Sequence, residues 1–307
     1  MENRFFCTYF DKNYFYRGLA LYRSMEKNCG DFLLYILCMD VETKTILERL
    51  DLKRVKLISL NEFENSDLIA AKRGRTLVEY YWTCTPFLPL YILKRYKHEM
   101  ITYIDADLMF FSSPEPIFNE FGKNSILVIE HRFKENSEEK EKDNGKYNVQ
   151  FLTFRNDENG IACLKWWGKK CLEWCYNRHE NGLIGDQAYL NSWESLFKGV
   201  YSMKNLGGGL APWNINNYEL TPKDDDLFVE NDKLIFYHFH AFRIYLYNFF
   251  DLSFGYKFTE IQKKLIYEPY IKAIKNAILE VKKIDADFKS GYQKGFLRFY
   301  VAKLIKK

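Results

Sequence analysis

The run Ile101-Thr102-Tyr103-Ile104-Asp105-Ala106-Asp107-Leu108-Met109-Phe110-Phe111 carries two carboxylates, one residue apart, in otherwise apolar surroundings. An unpaired carboxylate inside a strand covered on both faces is costly, so these acids belong at the strand's C-terminal end, where the chain leaves the sheet. With the two-residue period of a strand, Asp105 and Asp107 point the same way and can together hold a divalent cation. A hard cation placed there is suited to gripping a diphosphate. The plainer alternative for so common a spacing is a strand end whose acids meet solvent or a lysine.

Other candidates are limited by what their spacing lacks. Cys171 and Cys175 fall on a helical pattern with Trp166, Trp167, Leu172 and Trp174. Without a second Cys/His pair at zinc spacing they read as core. Gly207-Gly208-Gly209 precedes Leu210-Ala211-Pro212-Trp213-Asn214 and lacks the Gly-Lys-Ser/Thr of a phosphate loop. It reads as a tight backbone turn near a ligand. The Glu- and Lys-rich stretch from Phe133 to Lys146 has no apolar period and predicts a solvated loop, or a lid beside the site.

The elements that must position these residues alternate. Phe5 to Phe10 predicts a strand ending in the polar turn Asp11-Lys12-Asn13. A helix from Tyr14 to Asn28 carries Leu19, Tyr22 and Met25 at helical spacing, with Gly30 as its stop. Strand-like Phe32 to Met39 ends at Asp40, and a helix over 42–50 and a strand over 55–60 follow. Residues 82–96 look helical after Pro86 and lead into the acidic strand. Tyr147 to Phe154 predicts a further strand and 160–177 a Trp-rich helix. This alternation indicates an α/β domain with a mainly parallel sheet, in which ligands collect beyond the C-terminal strand ends. Asp11, Asp40 and the Asp105/Asp107 pair all fall at such ends.

From Tyr256 the character changes. Ile261, Leu265, Tyr270, Ile271, Ile274 and Ile278 predict a long helix through about Lys283. Residues 292–307 then interleave Phe296, Phe299, Tyr300 and Leu304 with Lys294, Arg298, Lys303, Lys306 and Lys307. That stretch suits either a helix docked on the domain or an interfacial helix on anionic lipid. The expected division is 1–250 as the α/β domain and 251–307 as a helical C-terminal region with a basic amphipathic tail.

The 307 residues, 47% apolar, are enough for one large core or a domain with an appendage. The formal charge of +4 gives no case for nucleic-acid binding. Seven scattered cysteines argue against a disulfide framework. No secretory signal is visible and no apolar run is long enough to span a bilayer. The expectation is a cytoplasmic protein, with the tail as a peripheral contact to the inner face of the cytoplasmic membrane.

Five clusters then fall in a telling order: Asp11-Lys12-Asn13-Tyr14; Tyr103-Ile104-Asp105-Ala106-Asp107-Leu108; Tyr147-Asn148-Val149-Gln150-Phe151; Gly185-Asp186-Gln187-Ala188-Tyr189; and Tyr237-His238-Phe239-His240-Ala241. In this order the chain, over roughly residues 4–245, resembles the family 8 glycosyltransferases of the glycogenin and lipopolysaccharide galactosyltransferase type. The resemblance implies a GT-A fold, Rossmann-like, with a C-terminal helical appendage. It implies a nucleotide-sugar donor, expected to be a UDP-sugar, Mn²⁺ or Mg²⁺, and transfer with retention to a bacterial surface glycan such as lipopolysaccharide or capsule.

Carried over residue by residue, Asp11 and Asn13 face the nucleotide base with Thr8 and Tyr9 beside them. Asp105 and Asp107 bind the metal, Asp105 also lying near the ribose or sugar. His238 is the later metal ligand, with His240 as the alternative, because in a strand the two share a face. Asn148 lies near the donor sugar, and Asp186 and Gln187 lie on its reacting face. The family's phosphate-binding Lys has no counterpart; Arg243 is the expected replacement. Its upstream Arg is likewise missing, with Arg73 or Arg75 as the replacement, and Ala241 stands where the family has Gly. Two rival readings use the same residues: a metal-dependent phosphohydrolase, and a non-catalytic sugar-nucleotide or glycan-binding module. Against the first, its Asp-x-Asp usually sits on the first strand before Thr or Val, whereas here it is mid-chain before Leu108.

Overall fold

The computed structural model describes residues 3–134, 138–224 and 226–293. The basic tail expected over 292–307 therefore lies, beyond Gln293, outside the described residues. In chain order the first half runs β1 (Arg4–Phe10), α1 (Phe15–Asn28), β2 (Phe32–Cys38), α2 (Val41–Leu50), β3 (Val55–Ser59), α3 (Leu60–Phe63), α4 (Ser66–Lys72), α5 (Leu77–Cys84), α6 (Phe87–Tyr96), β4 (Met100–Ile104), β5 (Leu108–Phe110), α7 (Glu115–Phe121) and β6 (Ile126–Glu130). Then come α8 (Glu138–Asn144), β7 (Tyr147–Arg155), α9 (Glu158–Glu173), α10 (Trp193–Leu196) and β8 (Val200–Ser202). The chain finishes with β9 (Leu220–Lys223), β10 (Asp226–Val229), β11 (Asp232–Lys233), β12 (Phe236–His238), β13 (Arg243–Tyr245), β14 (Phe249–Asp251), α11 (Glu260–Gln262), a π-helical turn (Lys263–Tyr267) and α12 (Glu268–Ile284).

The main sheet has seven strands in the order β3-β2-β1-β4-β7-β6-β8. It is mostly parallel; β7 runs antiparallel to both of its neighbours. From β1 the chain moves outward through β2 and β3, then returns to the other side of β1 as β4. The strand order therefore reverses between β1 and β4, and a crevice opens above such a switch point at the C-terminal strand ends. Alternate residues of each strand feed two cores. Phe6, Phe10 and Ile104 pack with α1 and α12 on one face, and Cys7, Tyr103 and Leu152 with α5, α6 and α9 on the other. Both faces are covered, which is why the strands read as nearly continuous apolar runs.

Three elements depart from the sequence expectation for physical reasons. Residues 82–96 are two helices, because Pro86 has no N–H to continue α5 and instead opens α6. The charged stretch after Phe133 contains a short helix, α8, whose residues 139–143 are exposed, so no apolar period announces it. The Trp-rich helix ends at Glu173, where Trp174 turns extended. Asp40, at the end of β2, is the N-cap of α2: its Oδ1 accepts from Thr43 N at 2.6 Å and its Oδ2 from Lys12 N at 2.9 Å.

Candidate active site

Asp105 and Asp107 lie just past β4, in the turn that leads into β5. Asp105 N still reaches across to Gln150 O on β7 at 3.0 Å, and Leu108 N closes the turn on Asp105 O at 3.3 Å. The carboxylates thus converge through a tight turn rather than through strand alternation. The third member arrives from far along the chain. β12 pairs antiparallel with β5, setting His238 opposite Leu108, and Phe239 N binds Asp107 O at 3.0 Å. His238 Nε2 lies 3.1 Å from Asp107 Oδ1 and 3.8 Å from Asp105 Oδ2.

One ligand atom from each of Asp105, Asp107 and His238 falls within a mutual span of 4.8 Å. Two carboxylate oxygens and an imidazole nitrogen, drawn together under cover, suit a hard or borderline divalent cation such as Mn²⁺ or Mg²⁺. Of the two candidate histidines, His238 is the one in this cluster. β12 ends at His238, so His240 falls in the following turn and is exposed, its ring 5.8 Å from that of His238.

The electrostatics reflect this crowding. Burial raises the Asp105 carboxyl to about 6, with the charge on Asp107 adding to the rise and His238 and the Tyr103 hydroxyl opposing it. For Asp107 burial also pushes upward, but the charge and hydrogen bond of His238, with help from His240 and Arg17, bring it below the ordinary range. His238 is correspondingly raised: burial opposes its charge, and Asp107 and then Asp105 outweigh that.

Asp186, from a later segment, lies close enough to the acids for the charge of Asp105 to act on it. Gly185, at φ +51°, makes the turn before it, and Trp167 Nε1 donates to Asp186 O at 2.8 Å. Its carboxylate is buried and caps no helix; the following 3₁₀ turn starts at Gln187 without a side-chain cap. Burial raises it to about 7, a hydrogen bond from Thr85 opposing the rise and the charge of Asp105 adding to it. Thr85 occupies the break between α5 and α6, and its Oγ1 lies 3.0 Å from Tyr9 OH. Sequence reasoning missed Thr85 because it read that stretch as one helix.

Asn148 and Gln187 are brought together, Asn148 Nδ2 donating to Gln187 Oε1 at 2.8 Å. The same Nδ2 lies 3.0 Å from Nε2 of His131, another residue the sequence did not single out. Burial pushes His131 down to about 4, so its imidazole is neutral at neutral pH. Gln187 Nε2 donates to Asn144 O at 2.7 Å, tying α8 to the site. The Gly207–Gly209 turn lies behind His238. A Cβ on Gly207 would stand 1.9 Å from Lys233 O, so only glycine permits that backbone crossing. Gly207 O accepts from Ile235 N at 2.7 Å and Leu210 O accepts from His238 N at 2.8 Å, so this turn seats β12.

Just past β1, the neighbour of β4 in the sheet, Asp11 closes a turn. Its Oδ1 accepts from Asn13 N at 2.9 Å and from Tyr14 N at 3.2 Å, and its Oδ2 from Asn13 Nδ2 at 2.9 Å and Tyr81 OH at 3.2 Å. The exposed Asn13 is thereby held at the start of α1. Thr8 is fully buried on the α1 face of β1, whereas Tyr9 faces the opposite core. Arg73 is exposed at the end of α4, and Arg243 lies over the Phe254 ring at 5.6 Å. Among the described residues no hydrogen bond or ion pair links either arginine to the acids. Arg17 of α1, by contrast, is buried, donates from Nη2 to Phe242 O at 2.7 Å and bears on Asp107 through its charge.

No family profile matches the chain. In structure it is similar to the galactosyltransferase LgtC in complex with donor and acceptor sugar analogs, at a TM-score of 0.60 and 15% identity over 89% of this chain and 95% of that one. An active-site mutant of LgtC aligns at a TM-score of 0.50 and 14% identity over 76% of this chain and 86% of that one. The chain has the GT-A fold. It belongs to the family of two proteins of Bacillus subtilis (strain 168), the uncharacterized proteins YfnD and YfnF. It is 31% identical to YfnD over 296 residues, 95% of each chain. It is 33% identical to YfnF over 291 residues, 92% of this chain and 95% of that one.

Proposed function

We propose that the protein is a metal-dependent glycosyltransferase that moves a sugar from a nucleotide sugar, most simply a UDP-sugar, to a glycan or glycolipid acceptor of the bacterial surface. The observation that carries this reading is the convergence of Asp105, Asp107 and His238 at the switch point of a GT-A sheet. A divalent cation held by these three would neutralise charge on the donor diphosphate as a Lewis acid. The protein's own groups supply the rest. Asp11 orients Asn13 toward the base, and Arg17, with Arg243 and Arg73 further out, adds positive charge to the diphosphate side. Asn148, Asp186 and Gln187 face the sugar.

In transfer, the bond from the anomeric carbon to the diphosphate oxygen breaks and its electron pair leaves with the diphosphate. The acceptor oxygen forms the new bond, and in a retaining reaction its proton passes to the departing phosphate oxygen. Asp186 and the Gln187 amide oxygen would stabilise the positive charge that develops on the sugar. A phosphohydrolase gains no support from this fold, and turnover separates an enzyme from a binding module. The test is release of UDP from a panel of UDP-sugars in Mn²⁺: slow hydrolysis of at least one, lost in Asp107→Ala, is expected. No release from any nucleotide sugar would refute the enzymatic reading.

Among the described residues no helix is long and apolar enough to cross a membrane. The basic tail is proposed as a peripheral contact to anionic lipid, on the strength of its sequence alone.

A further inference from the structure

Trp213 stands beside the acid cluster and is only partly buried. Its Nε1 donates to His131 O at 3.0 Å, which fixes the plane of the indole. Three imidazoles brace it. The ring centroids of His238, His240 and His131 each lie 5.4 Å away, at interplanar angles of 88°, 68° and 62°. All three contacts are edge to face, and among the described residues no ring stacks flat on the indole. Asn214, next in the chain, is fully buried and binds His131 O at 2.9 Å and Gly209 O at 3.0 Å, so the backbone under the ring is pinned too.

The indole therefore bridges two parts of the site. Through His238 it adjoins the acids, and through His131 it adjoins Asn148 and Gln187. With its single donor already used, the part of this indole left exposed offers apolar, electron-rich aromatic surface and little else. A diphosphate has no use for such a surface. A pyranose does: its C–H face is apolar and its hydroxyls lie at the rim, where the exposed His240 can meet them.

We propose that Trp213 is the platform on which the acceptor's sugar ring lies, with His240 at its edge. This rests on the glycosyltransferase reading above. The donor is located by its diphosphate and by Asn148, Asp186 and Gln187, which leaves the aromatic side of the crevice for the second sugar.

The test uses saturation-transfer NMR of the full chain with a panel of methyl hexopyranosides (glucoside, galactoside, mannoside and N-acetylglucosaminide). It compares the wild type with Trp213→Phe, which keeps a flat ring, and Trp213→Leu, which keeps apolar bulk without one. At least one glycoside should give signals at the ring C–H protons of one face. These should fall about tenfold in Trp213→Leu and stay within about twofold in Trp213→Phe, the scale of one aromatic contact. No signal with any glycoside overturns the proposal, as does loss in both variants or in neither. UDP binding in Mn²⁺, read on the same wild-type sample, reports the donor site separately. A platform that fails while UDP binds is thus told apart from failure of the glycosyltransferase reading.

Discussion

Asp186 gives the sharpest prediction, because its environment fixes both the sign and the size of an effect on stability. Its folded pKa, raised by burial to about 7, lies above the ordinary 3.8. Between those values the folded state keeps a proton that the unfolded chain has released, so stability falls as pH rises through that window. Above about pH 7 the whole cost is in force. The distance from 3.8 to about 7, at about 1.4 kcal/mol per pH unit, is worth on the order of 4 kcal/mol. Asp186→Asn keeps a hydrogen-bonding group for Thr85 and removes the charge. The assay is urea unfolding of both proteins in a chelator. Relative to the wild type, the variant should gain about 2 kcal/mol between about pH 5.5 and about pH 8. An advantage of equal size at both pH values would refute the argument that a buried, ionising Asp186 strains the ligand-free site.

Three further outcomes follow from the same geometry. Asp105 is raised to about 6 and His238 is raised as well, so protons compete with a cation for this site. Mn²⁺ should raise the melting temperature more at pH 8 than at pH 6; an equal or larger rise at pH 6 would contradict the assignment. Ala241 sits at φ +59°, where a Cβ is strained, so Ala241→Gly should stabilise the fold by about 0.5–1 kcal/mol in urea unfolding. A loss of stability would show that the turn bears no such strain. Tyr292 packs on Tyr16 at 5.6 Å and Gln293 N binds Ile244 O at 2.7 Å, so a deletion that spares these contacts starts at residue 294. It should abolish sedimentation with anionic vesicles, and unchanged sedimentation would remove the lipid role from the tail.

What could be read from the sequence was local. The alternation of strand and helix, and the two acids at a strand end, follow from apolar periodicity and from the cost of burying charge. The details of the site come from contacts distant in sequence. His238 meets Asp107 only because β12 pairs with β5, and no spacing rule specifies that pairing. Family resemblance, not periodicity, pointed to His238. His131 lies outside any motif; its importance shows only when its carbonyl takes both Trp213 and Asn214. Arg17 sits on a helix pattern as one basic residue among others, and only the fold turns it toward Phe242 and Asp107. Conversely, Asp40 carried a visible strand-end signal that the structure uses as a helix cap.

If Asp105, Asp107 and His238 hold a cation that in turn holds a nucleotide diphosphate, UDP affinity depends on the metal. Isothermal titration of UDP into the wild type, with and without Mn²⁺, tests it most directly, with Asp107→Ala and His238→Ala alongside. Tight UDP binding is expected only in Mn²⁺, weakened at least about tenfold by either substitution, since each removes one of three protein ligands. UDP binding that ignores Mn²⁺, or that survives both substitutions unchanged, would contradict it.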